Sequence, residues 1–212
     1  MGGDRIPGPL SDLTDPLEDQ QPPGAGFGLP GVVGLDGGSA PPATGGTHLT
    51  GWPRQITWDG FPAVSSRPAG VDEDAQIHAE VVNPENVSAT REDGRWRLSA
   101  FTVRIRIIRD DSWVVTSQKT ANLLAHEQGH FDITGLMGRD CAADLAALRA
   151  RSADELQGEV NRILAHYRQW AQRLNDQYDE ETNHSRNREA QQRWEGRIRA
   201  AAQNNTRLAP MP

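Results

Sequence analysis

The chain has 212 residues, 36% of them apolar, and a formal net charge of −7 from 22 basic and 29 acidic groups. Its single cysteine, Cys141, excludes an internal disulfide and a cysteine-only zinc finger, so the fold must rest on packing or on a metal held by other groups. The acidic balance argues against nucleic acid as a partner, because neutralising phosphates calls for a basic surface, and no apolar run is long enough for a membrane span.

The charge is concentrated at the start. Residues 1–50 hold 12 of the 21 Gly and 8 of the 14 Pro, and six acidic groups against Arg5 alone, so −5 of the −7 lies there. Such a segment cannot bury enough surface to offset its ordering entropy, and a disordered acidic tail is expected over 1–50 with one folded domain over 51–205. The opening MGGDRIPGPL lacks the basic and apolar regions of a signal peptide, so the chain itself gives no reason to expect export.

Alternating apolar and polar residues predict strands over 55–58, 75–82 and 95–108, with a further short one over 112–115. In the longest, Phe101, Val103, Ile105 and Ile107 share one face, while Trp96, Leu98 and Ala100 run in the opposite phase, which predicts a bulge near Ala100. From Thr120 the period becomes helical. One helix is predicted over 119–149, loosened at Gly135 and Gly138. Ser152 and Glu155 then form a capping box that opens a second helix, with Leu156, Val160, Ile163, Tyr167, Trp170 and Leu174 as its apolar seam. A third helix is predicted over 187–202. The fold class is therefore α+β: a small N-terminal antiparallel or mixed sheet, a long helical hairpin and a C-terminal helix.

Within the first helix stands His126-Glu127-Gln128-Gly129-His130. Residues four apart on a helix project from one face, so the two imidazoles can hold one Zn²⁺ at roughly 2.0 to 2.1 Å, with Glu127 beside the ion as a base for water. Chance would produce roughly 0.01 such matches in a chain of this composition. A third histidine at position 136 would complete one familiar arrangement, but Leu136 stands there. Counting along an antiparallel hairpin at 1.5 Å per residue brings Gln172 level with His130 and Asp176 level with His126, and a loop over 178–184 to the metal end. His184 is favoured as third ligand, with Asp179, Glu180 and Glu181 as competitors; His166, Glu155 and Glu159 fall too far along the hairpin.

The run Leu124 to Ile133, LAHEQGHFDI, followed by Tyr178 to His184, YDEETNH, resembles a bacterial family catalogued as domain of unknown function 922 and described as predicted secreted zinc-dependent proteases. Gln192, Trp194, Ile56-Thr57-Trp58 and Phe61 are similar to further parts of its pattern, and Ser185 stands where that family usually has Gly. The resemblance implies a zincin-like fold, His126, His130 and His184 as zinc ligands, Glu127 as base, and a secreted or periplasmic setting. The expected function is a zinc-dependent endopeptidase acting on a peptide or protein, with Tyr178 as donor to the oxyanion and strand 101–107 as an edge for an extended substrate. An amidase acting on a non-protein amide and a non-catalytic, metal-stabilised binding or delivery module are the alternatives. Asp132 is a candidate partner for a ligand imidazole, Cys141 is expected to be an inert buried thiol, and His48 and His78 are expected to lie away from the site.

Overall fold

The computed structural model describes residues 48–208, and within them the architecture is α+β, with mixed sheets first and three helices after. The tail expected over 1–50 lies outside the described residues except at its end, where Leu49–Thr50 forms strand β1. Further strands are β2 (Ala63–Val64), β3 (Ala75–Gln76), β4 (Ala79–Val81), β5 (Glu85–Glu92), β6 (Arg95–Ile107) and β7 (Trp113–Val115). The helices are α1 (Ala121–Ala147), α2 (Ala153–Thr182) and α3 (Arg188–Gln203).

β6 organises the main sheet. It lies between parallel β1, at Val103 and Arg104, and antiparallel β4, at residues 105–107, while β5 pairs along its first two thirds. Within 101–107, β1 takes one side at 103 and 104 and β5 and β4 take the other, so among the described residues only part of one edge is left to a substrate, less than the alternation suggested. Pattern reports which face is buried; it says nothing of whether the edge is taken. The strand partner missed in the sequence, β5, is joined to β6 by Asp93-Gly94, both at positive φ, a dipeptide that favours a two-residue hairpin turn. The register shifts where Glu85 and Ser88 face Thr102 and Ala100, which places the expected irregularity opposite Ala100. The strand predicted over 55–58 is irregular chain ending in a 3₁₀ turn, and 75–82 is divided: β3 pairs with β7, and β4 with β6.

α1 is buried on almost every side, against β6 and β4 on one flank and α2 and α3 on the other. It stays continuous through its glycines, which serve close approach rather than flexibility: a Cβ at Gly138 would lie 2.3 Å from Ile105 Cδ1. Thr120 caps α1 by accepting from Leu123 N–H, and Ser152 caps α2 by accepting from Glu155 N–H. The seam of α2 is rotated from the predicted one: Leu164 and Ala171 are buried, and Ile163 and Trp170 only partly so. The same stripe continues through Leu174, Tyr178 and Thr182, and for that reason the helix runs on to Thr182 instead of giving way to a loop at 178.

Candidate metal centre

The antiparallel packing of α1 on α2 pairs His130 with Asn175 and His126 with Asp179, three residues further along α2 than simple counting along the hairpin gives. Asp179 Oδ1 lies 3.0 Å from His126 Nε2 and 2.9 Å from His130 Nε2, and the two nitrogens are 3.1 Å apart. These atoms converge on one point. Ligand atoms at 2.0 to 2.1 Å from a tetrahedral ion are about 3.3 Å apart, so opening the triangle by a few tenths of an ångström admits a cation. His130 Nδ1–H donates to Asn175 Oδ1 at 3.0 Å, which turns the lone pair of Nε2 toward that point, and Asn175 is itself anchored on Thr134. Residues that can hold a metal are therefore present, and two imidazole nitrogens in contact without a cation or proton between them would repel.

The electrostatics fit the same reading. Burial pushes His126 below the usual histidine range despite the pull of Asp179. Burial also works against a charge on His130, but Asp179 and Glu127 outweigh it and raise its pKa. Asp179, whose burial would favour the neutral acid, is held well below the usual carboxylate range by the two imidazoles.

Glu127 is buried, lines the same cleft, and has one carboxylate oxygen without a partner. Burial lifts its pKa to about 7, with the backbone N–H of Ile77 resisting the rise. A carboxyl group poised near neutrality beside residues that could hold a metal is suited to exchanging protons with water. The cleft, about 280 Å³, is walled on its other side by the extended segment 73–79.

Other predicted residues fall elsewhere. His184 does not join the triangle; it stands next to it, with Nδ1 3.4 Å from Asp179 Oδ1 and 3.3 Å from Glu73 Oε1. Tyr178 does not line the cleft. Its ring stacks on His126 at 4.7 Å, meets Trp194 edge-on at 5.5 Å, and presses against Gly129, where a Cβ would be 2.5 Å from the hydroxyl. In this placement the ring, expected as an oxyanion donor, forms a wall behind the two imidazoles. Glu181 accepts from Trp194 Nε1 at 2.7 Å, Glu155 caps α2 by accepting from Arg151 N–H, and Glu159 pairs with Arg162. Glu180 borders a separate depression beside Trp170, and His166 packs edge-on against Tyr167 and Trp170. Asp132 bonds Trp52 Nε1 and Gln128 rather than an imidazole. His48 stacks on Phe101, whereas His78, expected to be remote, is part of the cleft wall. Asn175 and Glu73 were not anticipated. Asn175 had one available signal, since it lies four residues before Asp179 on the same face of α2.

Residues 89–185 match the model of a family described as bacterial protein of unknown function (DUF922). This is the family that the paired motifs resemble. The DUF922 match begins in β5, includes His126, His130 and Asp179, and ends just past His184; Glu73 and α3 lie outside it. Neither the curated proteins nor the solved structures gave a match.

Proposed function

We propose that the protein is a zinc-dependent hydrolase that cleaves peptide bonds, with His126, His130 and Asp179 as the metal-holding set and Glu127 as the base. The observation that carries this reading is the convergence of three ligand atoms, 2.9 to 3.1 Å apart, beside a buried carboxylate with an unpartnered oxygen in the same cleft. Two nitrogens and a carboxylate oxygen suit zinc, which would supply Lewis acidity to a carbonyl and lower the pKa of water. Asn175 fixes the tautomer of His130. Tyr178 holds both rings from behind. Glu127 takes a proton from water and returns it to the leaving amine, roles that its near-neutral pKa allows. The extended segment 73–79 provides the wall along which an extended substrate would lie.

A second reading is a metal-stabilised module without catalysis. It is favoured by the origin of the ligands in two different helices, so that an ion there would staple α1 to α2. Zinc content, and digestion of a peptide library with and without chelator, separate the two. The enzyme reading expects chelator-sensitive cleavage that Glu127→Gln lowers by about 10²-fold or more while zinc content stays unchanged. Zinc binding with no cleavage of peptide or other amide bonds, or cleavage indifferent to Glu127→Gln, would refute it; absence of zinc would refute both.

A further inference from the structure

We propose that the centre holds two cations, the second bound by Glu73, Asp179 and His184, with the Asp179 carboxylate shared between the two. This rests on the reading of His126, His130 and Asp179 as a metal site, and extends it to residues that the first ion leaves unused.

The geometry of His184 is the starting point. It forms a group with Glu73 and Asp179 in which the ligand atoms all lie within 4.8 Å of one another, separate from the group around His126 and His130. Its Nδ1 is shielded from solvent, yet makes no aligned hydrogen bond to either carboxylate, at 3.3 and 3.4 Å. The two distances from Nδ1 are close to the 3.3 Å that separates neighbouring ligands of a tetrahedral ion, so a cation between the three residues would use a nitrogen that is otherwise without a partner.

The backbone supports the same placement. Asn183, His184 and Ser185 have φ of 46°, 50° and 73°, three successive non-glycine residues in the left-handed region. This run turns the chain from α2 into α3 and sets His184 beside Asp179. It is held by His184 N–H donating to Asp179 C=O at 3.2 Å and by Asn122 Nδ2 donating to Ser185 C=O at 2.9 Å. The result is that the His184 ring turns back toward Asp179.

Charge points the same way. Asp72 and Asp74 on either side of Glu73 are matched by Arg67, and Asp72 also by Arg186, whereas Glu73 faces His184. Among the described residues, the cleft is lined by Glu73, Asp74, Glu127, Asp176 and Asp179 and by no Arg or Lys. A single dication leaves this lining negative, and a second is electrostatically welcome. With one nitrogen and two carboxylates, the second site suits zinc, cobalt or manganese, and its partial exposure predicts the weaker affinity of the two. Paired cations at a shared carboxylate are a recurrent arrangement for hydrolysis.

The test uses the full chain, stripped with chelator, equilibrated with excess Zn²⁺, desalted and analysed for metal. Two ions per chain are expected for the wild type, and one for both Glu73→Gln and His184→Gln, with melting of the apo proteins confirming that the variants fold. Titration with Co²⁺, followed by visible absorption, should show two phases in the wild type and one in each variant. Saturation of the wild type at one ion, or two ions retained by Glu73→Gln, would overturn the second site and leave the proposed hydrolase standing. No bound ion in the wild type would overturn both.

Discussion

Ser185 sits at φ 73°, in a conformation that glycine adopts without the Cβ clash other residues incur. Its strain is of order 1 to 2 kcal/mol, and glycine's larger entropy loss on folding returns part of that. Ser185→Gly should therefore stabilise the protein by up to about 1 kcal/mol, seen as a rise in Tm of about 2 to 4 °C; a fall would mean that the Ser185 side chain makes a compensating contact. Cys141 gives a second prediction from a single side chain. It is fully buried on α1, and burial pushes its thiol up to about 12. Only the thiolate reacts, so the native protein at pH 8 should be inert to a disulfide reagent that labels the denatured chain at once. The sign follows from the direction of the shift: the folded pKa exceeds the unfolded one, so raising pH toward 12 favours the unfolded thiolate and lowers stability.

Among the elements, the fit of α1 against α2 decides the centre. Gly129, between the two histidines, is where the Tyr178 ring enters, and a Cβ there would meet its hydroxyl and ring carbons at 2.5 to 2.8 Å. The ring cannot retreat, because Trp194 of α3 stands behind it. Gly129→Ala should cost about 1 to 3 kcal/mol of stability and weaken zinc binding, since the ring that supports His126 must move. Thermal melting together with zinc titration checks this, and unchanged zinc affinity would show that the aromatic wall does not set the imidazoles. The helices themselves were legible, because their caps and apolar periods are local: Thr120, Ser152 and Asn187 each accept from an N–H three residues on. The offset between α1 and α2 was not. It depends on how five linking residues and two ridged surfaces settle, and a shift of three residues, about 4.5 Å, is enough to bring Asp179 to the ligand position expected of His184.

Over the whole molecule, the proposed ligands His126, His130 and Asp179 join α1 to α2 beneath a wall supplied by segment 73–79, so an ion held there would stabilise the helix pair. An ion present at a thousand times its dissociation constant contributes about 4 kcal/mol, on the order of 10 °C in Tm for a chain of this size. Chelation should lower Tm by that order, zinc should restore it, and His126→Ala should reduce the difference. A Tm indifferent to chelator in the wild type would refute a metal bound in this cleft. Among the described residues no helix is long and apolar enough to cross a membrane.

The sequence by itself determined the elements whose causes are local: an α+β order, three capped helices, and two imidazoles with a glutamate on one helical face. Those follow from spacing along a single helix, which fixes direction without reference to anything else. Tertiary structure alone decided which group from α2 reaches the imidazoles, that β6 has partners on both sides at its centre, that Tyr178 stands behind the histidines, and that Glu73 comes from 106 residues before Asp179 to face the same cleft. Each of these depends on packing between surfaces distant in the chain, where a rotation of one helix or a shift of one turn exchanges one residue for another.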